Sequence, residues 1–246
     1  MNIICILWLG DFRGRDFKME DVERLYQSVN KHIDRPFTFY CLNNLQEGYE
    51  WPEYIHPIPL KHNWPGWWAK MELHRPDLPA GRTLYLDLDS HVIRNLQPIL
   101  DFQGDLVMFE TRQPHRKKMS FPVQLNSESS NHKIKINGDA RLRDGWVYRY
   151  QAATMLFDSG TPKMVQAYNL FKARAPHWMI KYRSDQDVMG DWLPDQPMFP
   201  STWMMKLVSA PAMSEPPKDC IIVTGQDKSG LFRKTETIPW FESMAR

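Results

Sequence analysis

The chain has 246 residues, 42% of them apolar and 24% charged, with 31 Lys/Arg against 29 Asp/Glu and a net charge of +2. That is ordinary globular usage; it excludes disordered and coiled-coil classes, and no apolar run approaches the roughly 18 residues that a membrane-crossing helix needs. Cys5, Cys41 and Cys220 stand at no metal-ligand spacing, and so low and odd a count fits a reducing, cytoplasmic compartment.

Residues 2–9 (NIICILWL) form a continuous apolar run closed by Gly10, the pattern of a fully buried parallel strand. The run is too short and lacks the basic flank of a signal peptide. Met19, Val22, Leu25, Tyr26, Val29 and Ile33 recur at helical spacing, and Pro36 follows, so a helix is predicted over 19–33. Strands are predicted over 37–42 and 54–60, and a helix over 67–74 stopped by Pro76. Residues 83–93 (TLYLDLDSHVI) are predicted as one strand, apolar except for two aspartates, followed by another over 106–110. Alternating short strands and helices predict an α/β fold with a mostly parallel sheet.

Residues 112–149 break this rhythm. They carry nine Lys/Arg and three acids, a charge of +6 that leaves −4 for the rest of the chain. The segment is expected to be a basic insertion or mobile loop, either a solvated face or a landing surface for an acidic acceptor. Beyond it, 152–157 predict a strand and 161–173 a helix with Thr161 as N-cap and Pro162 in its first turn. A helix start is predicted at 184–192, with Ser184 capping, and a last short strand at 221–224. No Gly/Ser linker divides the chain, so 1–246 are expected to form a single domain.

Asp87 and Asp89 are the sharpest chemical signal. Two unpaired carboxylates inside an apolar sheet are costly. The cost falls at a strand's carboxyl end, where open α/β sheets bind ligands. Adjacent carboxylates repel, and a divalent cation relieves the repulsion. Hard oxygen ligands suit Mg²⁺ or Mn²⁺, which usually share their coordination with substrate phosphates. The competing reading is a pair of solvated loop aspartates. His91 lies two residues past Asp89 but is not counted as a ligand. The cluster Trp64, Trp67 and Trp68 is a sugar platform or, more in keeping with tryptophan's burial habits, core.

The segment LYLDLDSHVI (84–93) resembles the D-x-D strand of GT-A glycosyltransferases, especially family 8-like retaining enzymes and their bacterial and phage relatives. Four more segments resemble that group in the same order: GWWAKMEL (66–73), AATMLFDSG (152–160), SDQDV (184–188) and MFPSTW (198–203). The resemblance implies a GT-A α/β fold and a metal-dependent, retaining hexosyltransferase. Its donor would be a nucleotide-sugar, UDP-sugar favoured, and its acceptor a saccharide or other hydroxyl. It implies Asp87 and Asp89 as ligands of Mn²⁺ or Mg²⁺. It implies Trp8, Leu9, Gly10, Lys70, Asp87, Leu88, Asp89 and Lys228 at the donor. Asp185 and Gln186 would then be catalytic, beside the donor sugar. The group's late His-Gly segment departs here: Thr224 stands where the metal-binding His is expected, with Gly225, Asp227 and Lys228 following.

Two alternatives of other classes remain open. One is a nucleotide-sugar- or carbohydrate-binding protein without turnover, motivated by Thr224. The other is a metal-dependent nucleotidyltransferase, which lacks support from any Gly-rich phosphate loop near the first strand. A nucleic-acid acceptor for the +6 segment ranks below a saccharide.

Overall fold

The computed structural model describes residues 1–10, 16–110, 123–124, 135–136, 150–182, 184–193, 196–206, 213–225 and 240. Chain order begins with β1 (Asn2–Leu7), α1 (Met19–Lys31), β2 (Thr38–Asn43), β3 (Ile55–Pro59) and a 3-10 segment (Gly66–His74). It continues with β4 (Gly81–Leu86), β5 (Ser90–Val92), α2 (Gln97–Leu100), β6 (Leu106–Glu110), and the short pair β7 (Val123–Gln124) and β8 (Lys135–Ile136). β9 (Tyr150–Ser159), α3 (Pro162–Ala173), α4 (Ala175–Lys181), α5 (Asp185–Trp192), β10 (Met198–Phe199), β11 (Met204–Lys206) and β12 (Ile222–Thr224) complete it.

The main sheet runs β10-β6-β9-β4-β1-β2-β3. β9 alone is antiparallel to its neighbours β4 and β6; the remaining pairs are parallel. The strand period of two sorts the core. In β1, Ile3, Cys5 and Leu7 point to one face, where Val22, Leu25 and Val29 of α1 pack, while Ile4 points to the other. In β4, Leu84 and Leu86 join the α1 side, and Tyr85 joins Met155, Met164 and Met189 on the opposite side. A second sheet, β11-β12-β5, is laid beside the first. All three cysteines are free and buried. Among the described residues no helix is long and apolar enough to cross a membrane.

Three expectations are corrected. Residues 83–93 are two strands in different sheets, because the chain turns at 87–89, where the Asp87 backbone carbonyl accepts the Ser90 N–H at 2.9 Å. The carboxylates are thereby lifted out of the apolar ladder. Thr161 and Ser184 precede their helices but cap neither with a side-chain bond. The Thr161 hydroxyl instead donates to the Asp158 carbonyl. Helix α4 has no counterpart among the predicted elements. The basic region 112–149 lies outside the described residues except for β7 and β8.

The segment Gly66–His74 is 3-10 rather than α, so residues three apart lie above one another. Trp68, Met71 and His74 form one buried edge, and Ala69, Glu72 and Arg75 continue a second. The third edge carries Trp67 and Lys70, both half-buried, and then Leu73, which is buried in the core. Glu72, wholly buried, accepts the Lys61 and His62 backbone N–H groups at 2.7 and 2.9 Å and pairs with Arg75 at 2.9 Å. Arg75 also donates to the Pro59 carbonyl at 3.0 Å. These bonds fasten the segment to the end of β3. Glu72→Gln leaves the Arg75 charge buried and underpaired, so a loss of about 3–5 kcal/mol is expected. That equals a fall in melting temperature of roughly 6–20 °C by scanning calorimetry, and adding Arg75→Met is expected to recover part of it.

Candidate active site

Lys70 stands at the centre of a group of carboxylates. Its ammonium lies 2.8 Å from Asp87 Oδ1 and 2.9 Å from Oδ2, donates to the Ala152 carbonyl at 3.2 Å, and stands 3.9 Å from Asp185 Oδ2. The Tyr85 hydroxyl donates to Asp87. Asp87 is fixed from behind as well, since its N–H bonds the Ala153 carbonyl of β9 at 2.8 Å. Asp185, 3% exposed, opens α5, so its charge also meets the partial positive end of that helix. The structure thus brings together Lys70, Asp87, Asp89 and Asp185 from three separate parts of the chain. Gln186 follows Asp185 in the first turn, half-buried.

The charges shift one another. Burial pushes the Asp89 carboxyl up to about 8, with the neighbouring Asp87 charge adding to it and Lys70 opposing. Burial raises Asp185 to about 6, again against Lys70. Burial would lower Lys70, but Asp87 and Asp185 outweigh it and hold the ammonium above its ordinary range. Tyr85 is raised well above 10 by burial and by Asp87, so its phenol keeps its proton and donates it.

The turn itself is held from three sides. Arg24 of α1 pairs with Asp21 at 2.7 Å and donates to the Leu88 carbonyl at 3.3 Å. Gly225 donates its N–H to the Asp89 carbonyl at 2.8 Å. β12 runs antiparallel to β5 with Thr224 opposite Ser90. Asp89 Oδ1 and the Thr224 hydroxyl are both screened from solvent with no hydrogen-bond partner. Orphaned hard oxygens of this kind fit a divalent cation. Among the described residues no three His, Cys, Asp or Glu side chains converge to cage a metal.

The other expected donor contacts divide. Trp8, Leu9 and Gly10 lie at the carboxyl end of β1, but the Leu9 N–H and carbonyl are both bonded by Asn44, at 2.8 and 2.7 Å, and the Gly10 N–H bonds Asp16 at 2.8 Å. A Cβ on Gly10 would meet the Trp8 ring at 2.1 Å, so the indole lies directly over that glycine. The Leu88 side chain belongs to the core, 2% exposed, and only its carbonyl is engaged at the turn. Lys228 and Asp227 lie outside the described residues. Trp64 and Trp68 are core, packed on Phe171, while Trp67 is half-buried. His91 is buried in β5 and lowered to about 4 by burial. Asn44, Asp16, Arg24 and Tyr85 were not singled out from sequence. Only Tyr85 carried a signal there, through its position two residues before Asp87.

A carboxyl whose folded pKa lies above its unfolded value favours folding at low pH and loses that contribution as pH rises. For Asp89 the window runs from 3.8 to about 8. Without divalent ions, Asp89→Asn is expected to gain stability relative to the parent across that window. Melting temperatures of both proteins, measured in parallel with chelator present, check it; equal slopes would refute the burial of that charge.

No protein-family model and no curated protein matches the chain. Among solved structures, the galactosyltransferase LgtC in complex with donor and acceptor sugar analogs is similar at TM-score 0.56 and 15% identity, over 97% of this chain and 95% of that one. An active-site mutant of LgtC is similar at TM-score 0.56 and 16% identity, over 96% and 95%. The likeness spans both chains almost end to end at low identity, and it is one of architecture: the chain has the GT-A-like α/β fold of LgtC.

Proposed function

We propose that this protein is a metal-dependent hexosyltransferase that transfers a sugar from a nucleotide-sugar, UDP-sugar favoured, to an acceptor hydroxyl with retention at the anomeric carbon. One observation carries the reading: Lys70 joins Asp87 and Asp185 at the carboxyl end of β4, beside the screened oxygen of Asp89. The fold agrees with it, and LgtC is a galactosyltransferase seen with donor and acceptor sugar analogs.

In this reading Asp89 and Asp87 hold Mn²⁺ or Mg²⁺, with the Thr224 oxygen close by. A bound cation supplies Lewis-acid stabilisation of the departing nucleoside diphosphate. Lys70 presents a fixed positive charge to the donor side of the cluster, and Tyr85 keeps Asp87 oriented. Asp185 faces the sugar, where positive charge develops in an oxocarbenium-like transition state, and its carboxylate stabilises that charge. Gln186 lies beside it to position sugar or acceptor hydroxyls. The acceptor is a saccharide or another hydroxyl compound.

Thermal-shift measurements with UDP-, GDP-, dTDP- and CMP-sugars, each with and without Mn²⁺, test the binding half. A donor at about 100 times its dissociation constant is expected to add roughly 2.7 kcal/mol of stability. Turnover is read from products: nucleoside diphosphate accompanies glycosyl transfer, and pyrophosphate accompanies nucleotidyl transfer. Asp89→Asn is expected to lower transfer by about 10²-fold or more, and full activity in that variant would overturn the proposal. The second reading, donor or acceptor binding without turnover, is favoured by Thr224 in the place of an expected His; it predicts a ligand-induced shift with no product.

A further inference from the structure

A cleft of about 590 Å³ lies between the end of α1 and the first residues of β2 and β3. The candidate active site is at the carboxyl end of β4, which runs parallel to β1 and, through it, to those strands. The two therefore open at opposite ends of the sheet, with roughly 20 Å of strand between them. Aromatic side chains form the wall of the cleft. Tyr26 of α1 stacks on Tyr54 with ring centres 4.2 Å apart, stands edge-on to Phe39 at 5.4 Å and is tilted against Phe37 at 5.9 Å. Tyr54 remains 41% exposed. Asn30 follows Tyr26 by one helical turn and lines the cleft from the same face of α1. Asp34 and Arg35 line it as well. Asp34 accepts from the Asn95 amide at 2.6 Å, Arg35 pairs with Asp101 at 2.7 Å, and the His32 carbonyl accepts the Leu96 N–H at 2.9 Å. The connection from α1 to β2 is thus fastened to residues 95–101, and the cleft is preformed.

We propose that this cleft binds a neutral saccharide, at a site separate from the reaction proposed above. A sugar ring presents apolar C–H faces and a rim of hydroxyls that both donate and accept hydrogen bonds. The tyrosine rings match the faces. The Asn30 amide donates and accepts, the Asp34 carboxylate accepts, and the Arg35 guanidinium donates, so the three together match the rim. A purely apolar ligand would desolvate these groups without replacing their bonds to water. A nucleotide or another anion would call for an uncompensated cation, and Arg35 is already matched by Asp101, with Asp34 next to it. Addition of a polypeptide strand is opposed as well, because Pro57 and Pro59 leave β3, the edge strand of the sheet, short of N–H donors. The volume falls within the roughly 300–1,000 Å³ of small-molecule sites. At the far end of the sheet from Lys70 and Asp87, a saccharide in this cleft is held and not turned over, so the cleft is an anchoring site.

Saturation-transfer NMR on the full chain tests this, with the methyl glycosides of glucose, galactose, mannose and N-acetylglucosamine at millimolar concentration, and with uridine and adenosine as nucleoside probes. At least one glycoside is expected to bind. Tyr54→Ala is expected to weaken that binding roughly tenfold, and Asn30→Ala about fivefold. Both side chains are exposed, and the melting temperature of each variant serves as its folding control. The thermal shift induced by a nucleotide-sugar reports the other end of the sheet and is expected to be the same in both variants as in the parent, so failure of one site is distinguishable from failure of the other. Absence of binding by all four glycosides overturns the proposal. So does glycoside binding that neither substitution weakens, since the signal then comes from another site. Saturation of a nucleoside alone, weakened by the same substitutions, also overturns it and reassigns the cleft to a flat heteroaromatic ring.

Discussion

Three carboxylates and one ammonium share a volume from which water is largely excluded, and the ammonium makes this tolerable. Asp87, Asp89 and Asp185 alone would repel one another across short distances in a medium that screens poorly. Lys70 touches the first with both oxygens and approaches the third, and its own protonation is strengthened by the acids it joins. Yet one cation does not balance three acids. The residue of the imbalance appears at Asp89, which burial and Asp87 push toward its neutral form. The site is thus left with an unbalanced carboxylate and a screened oxygen that no protein group partners.

Placing Lys70 so accurately demands a rigid carrier, and the buried Glu72–Arg75 pair supplies it. Glu72 satisfies two backbone N–H groups in the connection after β3, and Arg75 reaches back to the end of that strand. A buried pair is a weak source of stability, but it is demanding about geometry. Its location two residues from Lys70 means that the demand falls where the site needs it. The 3-10 winding serves the same end: with two edges buried and Leu73 anchoring the third, Lys70 is presented to the carboxylates.

Much of this was legible in the sequence because it was written locally. The apolar run at the N-terminus, the periodicity of α1 and the two aspartates after Leu84 and Leu86 each carry their meaning within a few residues. Residues 83–93 read as one strand because an apolar run looks alike whether it continues straight or turns into another sheet. What braces that turn lies elsewhere: the Ala153 carbonyl on β9, Arg24 on α1 and Gly225 after β12. Asn44, which bonds Leu9 across 35 residues, gave no local sign, since an asparagine after a strand is ordinarily just a turn residue. Thr224 is the converse case. The sequence marked it as a departure from a resemblance, and its hydroxyl comes to rest beside the turn, screened and without a partner.

The central place of β9 has a consequence for how the chain is made. β9 separates β4 from β6 in the sheet, yet it is translated some forty residues after β6 ends, on the far side of the basic region. At about 5–20 residues per second, roughly two to eight seconds pass in which β4 has one bare edge and β6 two. Such edges template pairing with other chains. The carbonyls that receive Lys70 and the Asp87 N–H also belong to β9, so the candidate site assembles only when that gap is filled. A nascent chain halted before residue 150 therefore lacks the candidate site and is prone to aggregate, which ties the quality of the site to completion of synthesis.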